Sequence, residues 1–271
     1  MTMLVQTTWP QPGLAVVTLT DPDTPNHNVT WKAIGQLADA LEAARSGGAR
    51  VVVLASGVEG FWLHHASLKD LRAMILGQPV EGDGSGWFRA LHELADTDMV
   101  SIAAISGDTS GGGCELGWAC DLRIADAGVR FSQPEVIMGL GTGIGGASRL
   151  RRIIGRTATA EMILMGLPMT SERLHQLGGV NLVTPRGSAL ETAIAWGRRL
   201  ADLPPASIAG LKRMLVQGED MTVNAAIEND QAIAQTLFAS PEGIARMQSI
   251  QARYDRGEPL DSVLWTNPPT G

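Results

Sequence analysis

Cysteine is scarce: only Cys114 and Cys120 occur in 271 residues. Two residues build no disulfide framework, and their spacing, without further Cys or clustered His, matches no common zinc pattern. Reduced structural thiols and no metal are therefore expected. Basic residues are also in deficit, with 21 Lys and Arg against 28 Asp and Glu and a formal net charge of −7. No basic run exists to release counterions from a phosphate backbone, which argues against nucleic acid as a partner. The densest cationic group, Arg149, Arg151 and Arg152, reads as a solvated helix face. No apolar stretch approaches the roughly 20 residues that span a bilayer, and the N-terminus lacks a basic region followed by an apolar one. A cytoplasmic protein without a membrane partner is expected. Gly-x-Ser-x-Gly is missing too, which removes the sharp nucleophile turn of a serine hydrolase.

Glycine, by contrast, is abundant, with 32 residues, and it gathers twice within residues 110–146. The first cluster is Ser110-Gly111-Gly112-Gly113-Cys114-Glu115, followed by Ala119-Cys120-Asp121. The second follows Gln133-Pro134-Glu135 and runs Gly139-Leu140-Gly141-Thr142-Gly143-Ile144-Gly145-Gly146. Three consecutive glycines strip every Cβ from a turn, so backbone N–H groups approach a ligand atom closely, and the helix that follows aims its positive end at the same place. That describes an anion or oxyanion site. Glu115 and Glu135, each beside a tight turn, face one pocket from two elements in this reading, an arrangement suited to acid/base chemistry. Each acid alone also fits a helix-terminus or turn role.

The rest of the chain supports a layered α/β fold. With 44% hydrophobic residues, it is long enough for one large α/β domain or a domain with a helical appendage. Residues 14–19 read as a strand. Thr30 caps a helix whose Ile34, Leu37, Ala38 and Leu41 share one face, stopped by Gly47-Gly48. Residues 51–55 form a buried strand. A loop from Gly60 through His64 and His65 leads into a helix, and the glycine-rich acidic segment 77–86 reads as a lid or disordered edge. A helix around Trp87 and a strand over 100–105 then feed the first glycine cluster. Beyond Gly146, helices dominate, with Ser171 starting one, a short strand over 180–183 and a helix over 187–201. Pro204-Pro205 separates a core, residues 1–203, from a helical C-terminal layer, residues 204–271, with helices over 208–216, 223–238 and 243–253.

The segments Gly-Gly-Gly-Cys-Glu-Leu, Ala-Cys-Asp, Gln-Pro-Glu and Gly-Gly-x-x-Arg-Leu occur in order and at the right spacing to resemble the enoyl-CoA hydratase/isomerase family, the crotonase superfamily. The likeness extends over roughly residues 16–243. It implies a crotonase-like α/β spiral of ββα units with a helical C-terminal layer that packs over the active site or against other subunits, in a homotrimer or hexamer. It further implies an acyl-CoA thioester substrate, no cofactor, and syn addition of water to a trans-2-enoyl-CoA. By the same resemblance Glu115 and Glu135 are the catalytic pair, here taken as base and acid, and the N–H groups of Ala66 and Gly112 form the oxyanion hole. Substrate contacts are expected from His64, His65, Ser67, Leu68, Trp118 and Gly143.

Three departures from the family pattern matter. Relatives commonly carry Ala-Gly-Ala-Asp-Leu where this chain has His64-His65-Ala66-Ser67-Leu68. Either the histidines contact substrate or act as a third acid/base group, as in decarboxylating, C–C-cleaving or isomerising relatives, or they pack and leave the chemistry to Ala66; Ser67 is also a good helix cap. Thr142 replaces a usual proline, and the tail after Glu242-Gly243 lacks the Glu-Lys-Arg motif. Gly141 to Gly146 also satisfies Gly-x-Gly-x-x-Gly, but mid-chain and without a strand ending in an acid after it, so a dinucleotide site is disfavoured. Trp62, Trp87, Trp118, Met162, Met165 and Met169 are expected in the core, with Trp62 and Trp118 as alternatives for an acyl tunnel suited to a flat group.

Overall fold

The computed structural model describes residues 3–82 and 84–264. Strands β1 (Val5–Gln11) and β2 (Leu14–Leu19) open the chain, followed by α1 (Trp31–Ser46), β3 (Val51–Ser56), α2 (Leu68–Ile75) and α3 (Gly86–Leu91). Next come β4 (Val100–Ile105), β5 (Thr109–Ser110), α4 (Gly112–Ala119), β6 (Leu122–Asp126), β7 (Arg130–Ser132) and α5 (Leu150–Met165). Then β8 (Met169–Thr170), α6 (Ser171–Gln176), β9 (Leu182–Thr184) and α7 (Ala189–Asp202) complete the core. A C-terminal series follows: α8 (Pro205–Gly218), α9 (Val223–Phe238), α10 (Pro241–Asp255) and α11 (Leu260–Val263). The expected boundary at residue 204 falls between α7 and α8; residues 265–271 of that layer and Asp83 of the 77–86 segment lie outside the described residues.

Six strands form one sheet in the order β1-β2-β3-β4-β6-β9, antiparallel only between β1 and β2. Its central strands are buried on both faces, as parallel sheets require. Val51, Val53, Val100, Ile102 and Ile124 face one way and pack with Ala189, Ala193 and Ala201 of α7. Val52, Leu54, Ala103, Ile105 and Ala125 face the other way, into the larger cluster with α1 and α4. Small residues let α7 approach closely: a Cβ on Gly197 would stand 2.7 Å from Leu14 Cδ1. A second, three-stranded sheet, β5-β7-β8, stands beside the site.

The caps form as the residue types predict. Thr30 Oγ1 accepts from Ala33 N at 3.1 Å, and Ser67 Oγ accepts from Asp70 N at 3.2 Å. Five strands go beyond the sequence reading, β5 and β8 being only two residues long. β1 is an edge strand with a polar, Pro10-containing sequence, which hides the strand pattern. β6 carries Arg123 and Asp126 in its buried interior, and β7 is only three residues long. The buried charges have partners. Arg123 donates to the carbonyls of Gly179, Gly117 and Cys120. Asp126 Oδ1 accepts from Ser188 N and Ala189 N, and its Oδ2 from Gly187 N at 2.7 Å, a carboxylate at the positive end of α7. Buried Lys212 of α8 donates to Leu94 O, Met99 O and Asp121 Oδ2, fixing α8 to the core.

The described residues of the 77–86 segment form part of the cavity wall. Gly82, Gly84 and Gly86 lie against α1: a Cβ on Gly82 would stand 2.6 Å from Lys32 N, and one on Gly86 2.8 Å from Gly35 N. An ion pair between Lys32 and Glu81 at 2.9 Å adds to this contact.

Candidate active site

Two backbone segments are joined side by side. Asp108 N donates to Gly60 O, Trp62 N to Asp108 O and Gly113 N to His64 O, while Thr109 Oγ1 donates to Leu63 O at 2.6 Å. The approach is so close that a Cβ on Gly113 would stand 1.8 Å from Leu63 O. Gly112 begins α4, so its N–H has no acceptor within the helix. Ala66 pairs with Val29 in a parallel bridge: Val29 N donates to His65 O and Ser67 N to Val29 O. In that pattern the neighbours of Ala66 bond to Val29, and the N–H of Ala66 itself points the other way.

Ala66 and Gly112 line one cavity of about 730 Å³, together with Glu115, Glu135, His65, Leu68 and Gly143. Its walls are largely apolar, from Trp31, Leu71, Met74, Val80, Trp87, Phe88, Met138, Leu140 and Ile144. The expected site residues therefore come together, with three exceptions. Ser67 caps α2. His64 turns its Nδ1 to Ser110 Oγ at 3.0 Å, its Nε2 is buried without a hydrogen-bond partner among the described residues, and burial pushes its pKa down to about 4. Trp118 is buried, stacks on Phe131 and stands outside the cavity lining. Trp62 likewise is fully buried in the core. The indoles at the cavity are instead Trp31 and Trp87, and Trp87 packs so near the turn that a Cβ on Gly112 would stand 2.7 Å from its ring.

The two glutamates have different surroundings. Glu115 Oε1 accepts from Ile144 N at 2.9 Å and Gly146 N at 2.7 Å, so the second glycine run is a cradle for this carboxylate. Burial raises the Glu115 pKa, opposed by the backbone N–H groups of residues 143–146. Glu135, on a short 3₁₀ turn over Glu135–Met138, is pushed up to about 7, first by burial and then by the charge of Glu115. Gln133, oriented with its amide nitrogen toward Glu135, donates to Oε1 at 2.9 Å and Oε2 at 3.2 Å, and its oxygen accepts from Trp118 Nε1 at 3.2 Å. Gln133 and Trp118 thus form a relay that fixes Glu135 from behind. The sequence signal for Gln133 was its place in the Gln-Pro-Glu segment. Trp31, on a helix far away in the chain, carried none.

A mostly parallel, doubly covered sheet with two backbone N–H groups and two buried carboxyls around one apolar cavity defines a crotonase-fold α/β protein. The model of the enoyl-CoA hydratase/isomerase family matches residues 10–255, and the chain belongs to that family. It is 29% identical over 256 residues to the "Probable enoyl-CoA hydratase" of Rhizobium meliloti (strain 1021), covering 93% of this chain and 95% of that one. To the 2,3-dehydroadipyl-CoA hydratase of Escherichia coli (strain K12) it is 28% identical over 224 residues, covering 83% and 86%. Among solved structures, enoyl-CoA hydratase EchA1 from Mycobacterium marinum superposes with a TM-score of 0.77 at 26% identity, covering 95% of this chain and 98% of that one. Relatives of this kind indicate an enzyme.

Proposed function

We propose that the chain is an enoyl-CoA hydratase-type lyase that adds water syn across the double bond of a trans-2-enoyl-CoA. The observation that carries this reading is the convergence of both glutamates on the cavity lined by Ala66 and Gly112. Glu115 uses Oε1 to hold the two cradle N–H groups, which leaves Oε2 to take a proton from water as its oxygen bonds to the β-carbon. The electron pair of the double bond moves to the thioester oxygen, where the N–H groups of Ala66 and Gly112 stabilise the enolate; removing one such donor in an enzyme of this type costs roughly 10²–10³ in rate. Glu135, with its pKa near neutrality, delivers its proton to the α-carbon, and the new carboxylate is met by the Gln133 amide. The solvent then resets both carboxyls. This chemistry calls for no metal or redox cofactor.

The rival reading, isomerisation, decarboxylation or C–C hydrolysis with His64 or His65 as an acid/base group, keeps only His65 as its candidate, because His64 is turned away to Ser110 and stands outside the cavity lining. The homotrimer or hexamer is supported by apolar side chains exposed along the C-terminal layer, Leu211, Leu215, Ile227 and Phe238 among them. The test is loss of the conjugated-thioester absorbance when purified protein meets crotonyl-CoA, with Glu115→Gln and Glu135→Gln in parallel. Rapid loss abolished by both substitutions is expected. No loss from a folded protein that binds CoA esters would sink the hydratase reading.

A further inference from the structure

His65 is one of the few polar side chains, with Gln78, Ser85, Glu115 and Glu135, in a cavity lining dominated by apolar residues such as Trp31, Leu68, Met74, Val80 and Phe88. Its imidazole has a fixed orientation, because Nδ1 stands 2.9 Å from Ala66 O. A carbonyl oxygen only accepts, so Nδ1 carries the proton, and in the neutral ring Nε2 is then a hydrogen-bond acceptor. The position is also defined. His65 Cβ and Glu135 Oε1 flank Gly111 together, 2.8 Å and 3.1 Å from the point where a Cβ on that glycine would stand. His65 therefore joins the cavity wall next to Gly111, the same glycine that the Glu135 carboxyl adjoins.

Resting on the hydratase reading, we propose that His65 is a specificity-determining residue: its Nε2 accepts a hydrogen bond from a hydroxyl on the acyl chain close to the reacting carbons, so the preferred substrates are hydroxylated enoyl thioesters. An acceptor in an apolar lining favours the hydroxylated chain by about the strength of one neutral hydrogen bond, since a chain without the hydroxyl leaves it unpaired. A carboxylate in the same place would meet a lone pair and be repelled.

Saturated CoA esters test the contact apart from the chemistry. Calorimetric binding of butyryl-CoA, 4-hydroxybutyryl-CoA and succinyl-CoA to the full chain is expected to show 4-hydroxybutyryl-CoA about 2–10-fold tighter than butyryl-CoA, the range of one neutral hydrogen bond, with succinyl-CoA weakest. His65→Phe should erase that preference, and His65→Gln, which keeps an acceptor, should retain part of it. Equal binding of the first two esters by the wild type, a preference that survives His65→Phe, or tightest binding of succinyl-CoA would each overturn the proposal. The crotonyl-CoA assay separates the two claims. Failure to hydrate with the hydroxyl preference intact sinks the reaction and leaves His65 its role, whereas hydration without the preference sinks the role of His65 alone.

Discussion

The two glycine runs use the same residue for different physical reasons. In the turn over residues 111–113 glycine is needed for space: a Cβ would stand 2.8 Å from His65 Cβ at Gly111, 2.7 Å from the Trp87 ring at Gly112 and 1.8 Å from Leu63 O at Gly113. Gly111 also has a positive φ of 50°, which penalises any side chain. In the run over 139–146 a Cβ on Gly139, Gly141 or Gly143 would meet nothing within 4 Å, and only the last two glycines are confined, Gly145 at 3.0 Å from Arg149 Cδ and Gly146 at 2.8 Å from Thr142 Cβ. There the glycines shape a loop whose N–H groups cradle Glu115. One turn joins two segments of backbone; the other presents donors. Glycine content alone does not distinguish the two, whereas the surrounding atoms do.

The comparison breaks first at Gly113. Gly113→Ala places a carbon inside a backbone carbonyl, and we expect loss of cooperative thermal unfolding or a drop in melting temperature of more than about 10 °C, well beyond the typical cost of about 1 kcal/mol for a point mutation. A melting temperature near wild type would show that the two segments are not joined as described. Next in size is Glu115. Glu115→Gln keeps an acceptor for the cradle and should lower kcat by roughly 10²–10⁴ with no loss of stability. Glu115→Ala leaves the Ile144 and Gly146 N–H groups without that acceptor and should add a stability loss of about 1–3 kcal/mol in denaturant titration. Equal stability of the two variants would contradict the cradle.

Glu135 supplies a pH signature. Its folded pKa of about 7 lies above the ordinary 4.5, so the folded state holds the proton more tightly and stability falls as pH rises from 4.5 towards 7. Glu135→Gln should therefore be more stable than wild type by about 1–3 kcal/mol at pH 8, with the gain fading towards pH 4. A gain that does not change with pH would mean the carboxyl is not perturbed. The smallest effect is expected at Gly141, where Ala has open space and no positive φ to strain: Gly141→Ala should change unfolding free energy by no more than about 0.5 kcal/mol. A loss as large as that of Gly113→Ala would erase the distinction between the two runs.

The parts of this molecule legible in sequence are those set by local chemistry. Thr30 and Ser67 announce caps, Gly47 a stop, and the C-terminal helices follow their apolar spacing. The glutamate pair was legible because each acid adjoins a glycine or proline turn. What stayed hidden depends on contacts between distant residues. β6 was obscured by Arg123 and Asp126, whose charges depend in part on backbone groups far along the chain, Gly179 O and Ala189 N among them. The glycine content of the 77–86 segment suggests a lid or a disordered edge and gives no hint that Gly82, Gly84 and Gly86 lie against α1. Trp62, Trp87 and Trp118 are buried as their core reading expects; the alternative of an acyl tunnel between Trp62 and Trp118 rests on nearness in sequence, whereas the fold brings Trp31 to the cavity and uses Trp118 to hold Gln133.

The division of labour between the two carboxyls is the centre of this account, and hydrogen exchange at the α-carbon tests it most directly. Butyryl-CoA has no double bond to hydrate, so deuterium uptake from D₂O needs only the oxyanion donors and the group that serves the α-carbon. The measurement is the NMR-detected rate of α-deuteration with wild type, Glu115→Gln and Glu135→Gln at pH 8, where Glu135 is largely ionised. Exchange retained in Glu115→Gln and lost in Glu135→Gln is the predicted result. The opposite pattern, with exchange lost only in Glu115→Gln, would contradict the assignment of the two roles.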